Sequence, residues 1–301
     1  MKLVTYDRMG ARRLGAWVEG AVVDLHDAVG HPAFPATLEA LVARSGGTTL
    51  DAARDMLSDP DVVEEFTVPG ARLLAPLLPS SMRNFLAYER AHEMPVYYKG
   101  NHRSVVGPDE EVPWPEFTQE LDYEVSVGCV VGKPGRDLSP GDASRVVFGY
   151  TLVNDWCARD VRRAETAGGL GPAKSSDFAT SIGPCIVTAD DLDPSDLPLV
   201  ARVDGDVWSA GNLRDARWSF SELIAYVSRD EEVLPGDVYT SGTFTGGRGH
   251  DVGRRLQPGQ AVELETDGIG VLRNTLGRPG VPRRRLTPRS PGGVVTRLSL
   301  L

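Results

Sequence analysis

Residues 120–131 read ELDYEVSVGCVV, and residues 147–160 read VFGYTLVNDWCARD. Side chains alternate across a β-strand, so each run predicts a strand with two distinct faces. In the first run Leu121, Tyr123, Val125, Val127 and Cys129 share one face, and Glu120, Asp122, Glu124, Ser126 and Gly128 share the other. Three acids aimed the same way beside a buried face are costly unless a cation neutralises them. A hard divalent cation such as Mg²⁺, which favours a few carboxylates plus water, would do so. A solvated outer strand face is the plain alternative. In the second run Val147, Gly149, Thr151 and Val153 share the face of Asp155, so an acid arrives at the end of an otherwise apolar face. That is the position of a site mouth or of a cap. Arg159 and Asp160 follow, and a structural ion pair at the strand end would account for both.

Outward from these runs, strand-like segments punctuated by Gly and Pro extend from about residue 76 to about residue 276. VDGDVWS predicts a hairpin with Asp204-Gly205 as its turn. One helix is well marked. Ser219 caps it, Glu222 completes a capping box, and Phe220, Leu223, Ile224 and Val227 recur at helical spacing. A shorter helix starts at Ser139, with Pro140 at its first position. Residues 1–75 predict a small α+β unit. LVTYD and LGAWVEGAVVDL read as strands with a turn at Gly20, followed by two short helices, ATLEALVARSG and TLDAARDMLSD, the first closed by Gly46 and Gly47. The fold class is therefore mainly β with a few helices (α+β). Its segments are a small N-terminal domain over 1–75, a main domain over 76–276, and an Arg- and Pro-rich tail over 277–301. The tail reads as a solvated irregular arm or as an arm that packs on a second subunit.

Composition narrows the function classes. Hydrophobic content of 41% and charged content of 25% are ordinary for a chain with a normal core. A net charge of −10 argues against a nucleic-acid surface, which needs clustered Lys and Arg. Cys129, Cys157 and Cys185 are odd in number and widely spaced. They give no disulfide framework and no paired-cysteine metal motif, and read as small buried apolar residues of a reducing compartment. No stretch approaches the ~18 apolar residues of a membrane span, and no apolar run follows the first residues, so the expected location is cytoplasmic.

Two further stretches carry polar chemistry. Lys174 stands in the loop Gly-Pro-Ala-Lys-Ser, residues 171–175. Such a lysine is ordinarily solvated; beside a carbonyl substrate it would stabilise a developing enolate. The turn Thr240-Ser241-Gly242-Thr243 offers hydroxyls and backbone N–H groups that suit a carboxylate.

Taken in order, LDYE with its Val-rich strand, GYTLVNDWCARD, AKSSDFATSIGP, LIAYVS with LPGDVYTSGT, and LQPGQAVELETDGIGVLRNTLG resemble the fumarylacetoacetate hydrolase family. The N-terminal MKLVTYDRMGARRLGAWVEGAVVDL resembles the family's small leading domain, and the likeness covers roughly residues 1–276. The resemblance implies a mixed β-roll enclosing a pocket, a homodimer, and Mg²⁺ or Mn²⁺ gripping a keto-enol or 2-oxo acid as a Lewis acid. Carried over by position, Glu124 is the first acid of the family's metal pair, Asp155 its later Asp, Lys174 the pocket lysine, and Thr243, beside Gly242, the substrate-turn threonine. The second acid of the pair falls on Ser126. The segment NFLAYERAH, residues 84–92, matches a stretch that begins with an acid or Asn and carries a His. Asn84 stands at its start, and His92 or Ala91 falls at the His position. His92 would activate water, oriented by Glu89 or Glu93. Two carboxylates in place of three weaken the hold on a divalent ion. Asp122, on the face of Glu124, could substitute, and Ser126 and Asn84 could offer neutral oxygens.

Three functional readings follow. The first is a metal-dependent enzyme that hydrolyses a C–C bond in, or decarboxylates, a small 2-oxo or 1,3-diketo acid, with Glu124, Asp155 and Ser126 at the metal, Lys174 on the oxyanion and His92 moving a proton. The second is a metal-independent isomerase, cyclase or dehydratase using Lys174, Glu124 and Arg159. The third is a non-catalytic carboxylate-binding protein.

Overall fold

In the computed structural model residues 1–44, 47–169 and 171–280 are described. The chain opens on a meander, β1 (Lys2–Arg8), β2 (Ala11–Val18) and β3 (Ala21–Asp24). Its two turns, Met9-Gly10 and Glu19-Gly20, have positive φ at both central residues. Turns of that hand match the right-handed twist of the strands they join. Four short helices follow: α1 (Leu25–Val29), α2 (Leu38–Ala43), α3 (Gly47–Leu57) and α4 (Pro60–Glu65), with Asp24, Thr37 and Asp59 capping the first, second and fourth. The expected glycine stop differs. Arg44 caps α2, Gly47 opens α3, and Gly46 lies outside the described residues.

The main body adds β4 (Ser81–Phe85), β5 (Tyr97–Lys99), β6 (Val125–Val131), β7 (Val147–Asp155) and β8 (Thr180–Thr188). The hairpin β9 (Pro198–Val203) and β10 (Asp206–Asn212) comes next, then β11 (Asp237–Thr240), β12 (Ala261–Thr266) and β13 (Gly270–Leu276). Asp204 and Gly205 take positive φ at the hairpin turn, as the sequence predicts. One large mixed sheet runs Thr67–Val68, β3, β2, β1, β8, β7, β6, β11, β4, β5; a second runs β10, β9, β12, β13, Glu111–Val112. The helices of this part are α5 (Pro140–Ala143), α6 (Arg159–Ala167) and α7 (Phe220–Val227), the last with the full Ser219–Glu222 capping box.

Strands β6 and β7 are buried on both faces almost throughout. On one side Tyr123, Val125, Val127, Cys129 and Tyr239 pack with Phe220, Leu223 and Ile224 of α7. On the other, Val130, Val153, Ile182 and Val238 pack with Leu3, Leu14, Leu38 and Leu41 of the first segment. The boundary expected near residue 75 is thus no gap in hydrogen bonding: Leu3 pairs with Ile186, so the N-terminal strands extend the main sheet. Residues 120–131 are not one strand either. Leu121-Asp122 pairs with Cys157-Ala158 in a separate ribbon before β6 begins. The three cysteines are buried and free. Residues 281–301, most of the Arg- and Pro-rich tail, lie outside the described residues. Among the described residues no helix is long and apolar enough to cross a membrane.

Candidate active site

The antiparallel register of β6 and β7 pairs Val125 with Asn154, which sets Glu124, one residue before β6, beside Asp155, the last residue of β7. The Asp155 N–H donates to the Glu124 carbonyl at 3.3 Å, and the Glu124 N–H donates to the Asn154 side chain at 3.0 Å. Both acids are only 5% exposed, so the solvated outer face that the sequence allowed is ruled out for Glu124.

The cations that the acid row demands are arginines. Arg159, Arg162 and Arg163 fall at i, i+3 and i+4 of α6 and so share one helix face. Arg159 Nη1 donates to Glu124 Oε1 at 2.6 Å and its Nε to Asp122 Oδ2 at 2.9 Å. Arg162 Nη2 lies 3.7 Å and Arg248 Nε 3.5 Å from the same Glu124 oxygen. Arg163 grips Glu120 at 2.8 Å. Asp122 also accepts backbone N–H groups of Tyr123, Gly249 and His250. The Arg159–Asp160 ion pair considered from sequence does not form: Asp160 instead accepts from Thr118 Oγ1 at 2.5 Å and the Gln119 N–H at 3.0 Å. Burial pushes the Glu124 carboxyl up, but Arg159, Arg248 and Arg162 outweigh it and hold the group below its ordinary range.

Asp155 has different company. Its Oδ2 accepts from Asn84 Nδ2 at 3.0 Å and from the Tyr98 hydroxyl. Its Oδ1 is buried with no hydrogen-bond partner. Burial pushes this carboxyl up to about 6, against the pull of Arg162, Asn84 and Arg159. Tyr98, Asn84, Thr240, Gly128 and Thr151 form one lateral row across β5, β4, β11, β6 and β7. Gly128 keeps the middle of that row open, since a Cβ there would lie 2.8 Å from Val153 Cγ2. The Arg162 guanidinium sits over the Tyr98 ring, 5.6 Å from its centre.

The 240–243 turn closes the site. Ser126 Oγ meets Ser241 Oγ at 3.2 Å. Gly242 holds φ +68°, and a Cβ there would come within 2.0 Å of the Phe85 carbonyl, so only glycine fits. The Thr243 hydroxyl is buried without a partner. Its methyl lies against Gly247, where an added Cβ would fall 2.5 Å away, one residue before Arg248.

Two sequence candidates stand apart from this group. Lys174 is exposed, with its ammonium over the Phe117 ring at 4.9 Å, in a loop whose neighbouring residues Ala173 and Ser175 bond to Glu165 of α6. His92 is exposed, and its carbonyl accepts from Arg217 Nη1 at 2.6 Å. Sequence reasoning missed Arg162 and Arg248. Helical spacing from Arg159 could have found Arg162; Arg248, in a glycine-rich turn, carried no comparable signal.

The donor set does not suit a divalent cation. Glu124 is already neutralised by guanidiniums, the Ser126 hydroxyl is turned to Ser241, and one Asp155 oxygen is occupied by Asn84 and Tyr98. A metal ion here would sit among Arg159, Arg162 and Arg248, whose like charge opposes it. Among the described residues no three His, Cys, Asp or Glu side chains are grouped to hold an ion.

A family model for the fumarylacetoacetate hydrolase C-terminal region matches residues 80–277. The chain belongs to this family. The human mitochondrial oxaloacetate tautomerase FAHD2A is 36% identical over 187 residues, 60% of this chain and 58% of that protein, so the match spans little more than half of the relative's length. The fumarylacetoacetate hydrolase of psychrophilic Exiguobacterium antarcticum superposes with a TM-score of 0.77 at 28% identity, covering 92% of this chain and 99% of the other. A maleylpyruvate hydrolase from Sphingobium, whose structure holds manganese and pyruvate, shares the fold at a TM-score of 0.72 and 22% identity, covering 92% of this chain and 99% of its own. The mainly β mixed architecture expected from the sequence is that of the family.

Proposed function

We propose that this family member is a metal-independent isomerase that moves a proton between the keto and enol forms of a small 2-oxo acid. The observation that carries this reading is the convergence of Arg159, Arg162 and Arg248 on Glu124, with Arg159 Nη2 and Arg162 Nε buried and left without a hydrogen-bond partner. Unpaired buried donors are costly, and a bound carboxylate or enolate oxygen satisfies them. Asp155 Oδ1 takes the proton from the carbon next to the carbonyl. The electron pair moves to the carbonyl oxygen, where guanidinium N–H groups stabilise the enolate, and the proton is returned to that oxygen. The Thr243 hydroxyl and Arg248 hold the substrate carboxylate. Glu124 keeps the arginines in place and does not itself exchange a proton.

C–C bond hydrolysis requires an activated water, and the candidate for that task, His92, is exposed on a loop held by Arg217. A proton shift needs one acid–base group and an enolate-stabilising pocket. The tautomerase relative supports the same substrate class. The test is turnover of enol-oxaloacetate by protein dialysed against a chelator, followed as loss of enol absorbance, beside Arg162→Gln and Asp155→Asn. Undiminished turnover in chelator, falling about 100-fold or more in both variants, supports the reading. Turnover that appears only when Mg²⁺ or Mn²⁺ is added contradicts it.

A further inference from the structure

A half-open cavity of about 240 Å³ lies between α7, the segment before it and the 240–243 turn. Leu213, Ala216, Trp218, Phe220 and Leu223 line it, and Ser241 stands in its wall. A cavity of about 150 Å³ with such a lining holds a benzene molecule, so this one has room for a phenyl ring and a short linker. Arg214 at the rim is turned to Asp196 at 3.4 Å, so no free charge invites a carboxylate.

Ser241 ties this space to the acid site. Its Oγ accepts from the Val127 N–H at 3.1 Å and meets Ser126 Oγ at 3.2 Å. Ser126 stands two residues from Glu124 on β6, where the family resemblance leads one to expect an acid. The Ser241 hydroxyl also donates to the Gly242 carbonyl at 2.8 Å, so it is held in place at this wall. The wall between the acids and the apolar cavity is therefore made of small hydroxyls rather than a carboxylate.

We propose that this cavity receives the side group of the substrate, a phenyl-sized aryl or branched-alkyl tail carried on the 2-oxo acid, with the Ser241 hydroxyl at the junction. Recognition is then divided: guanidiniums take the charged end and α7 takes the apolar end. The inference rests on the acid-site reading for its chemistry but concerns different residues. Filling the cavity separates the two. Ala216 is only partly buried, so Ala216→Phe occupies the space without remaking the core.

Steady-state tautomerisation of phenylpyruvate and oxaloacetate is compared in wild-type and Ala216→Phe protein, with isothermal titration of phenylpyruvate into each. The expected result is a loss of about tenfold or more in kcat/KM for phenylpyruvate, with oxaloacetate changed less than about twofold, and a matching loss of phenylpyruvate affinity. An unchanged ratio between the two acids overturns the cavity inference and leaves the acid site standing. If the wild type turns over neither acid, the acid-site chemistry fails. The titration then still decides the cavity: binding that Ala216→Phe abolishes upholds it, and binding left intact, or none to the wild type, overturns it.

Discussion

Glu124 and Asp155 sit side by side at neighbouring ends of β6 and β7, equally buried, yet their surroundings drive them opposite ways. Glu124 faces three guanidiniums and is held ionised; Asp155 is met by an amide and a phenol and is pushed up to about 6. Burial is common to both, so the charge of the partners decides the outcome. The contrast underlies the proposed roles: one carboxylate as a fixed counter-ion, the other exchanging a proton near neutral pH.

The most severe test of this contrast is Asp155→Asn. Loss of the proton carrier is expected to lower kcat by about 10²–10⁴-fold. The same change should stabilise the fold. A raised acid contributes stability that is full below its unfolded value near 3.8 and is lost as pH rises through about 6, so at pH 7 the ionised group carries a cost of up to about 3 kcal/mol. A neutral amide removes that cost, and chemical denaturation at pH 7 would show a higher midpoint. A lower midpoint would break the contrast.

Glu124→Gln should do the reverse. It leaves Arg159, Arg162 and Arg248 without their shared counter-ion, and breaking a buried pair typically costs about 3–5 kcal/mol. The stability that Glu124 supplies is present above its unfolded value near 4.5 and fades as pH falls through its lowered folded value. A third prediction concerns pH. With Asp155 as base, kcat/KM for the keto form should fall below an apparent value of about 6. Asn84→Ala, which removes a donor to the ionised form, should shift that limb upward by up to about one unit. The smallest effect is expected at Lys174→Ala. The side chain is exposed over Phe117, so stability should change by less than about 0.5 kcal/mol and kcat by less than about tenfold. A kcat loss as large as that of Asp155→Asn would place Lys174 in the mechanism after all.

Much of the frame is legible in the sequence. The run that ends at Asp155, the Asp204-Gly205 hairpin and the Ser219 capping box are local signals and form as read, whereas the run around Glu124 splits into the Leu121-Asp122 ribbon and β6. The requirement for a cation beside the acid row was also legible, because charge cannot be buried unpaired. Its identity was not. Arg162 and Arg248 reach Glu124 from a helix and a turn far away in sequence, and one-dimensional spacing does not report such convergence. Lys174 shows the same limit from the other side. A family position fixes where a residue stands in the chain, while the loop after α6 sets where its side chain points, here onto Phe117. The N-terminal unit reads as a separate module because its text is locally complete. Its joining to β8 through Leu3 and Ile186 is a long-range pairing that only the fold supplies.

The central claim is that arginines have taken the place of a metal at Glu124. Isothermal titration of Mn²⁺ into metal-stripped protein, with Glu124→Gln beside it, tests this most directly. The account predicts no saturable heat up to millimolar Mn²⁺ in either protein. Stoichiometric micromolar binding that Glu124→Gln abolishes would contradict it.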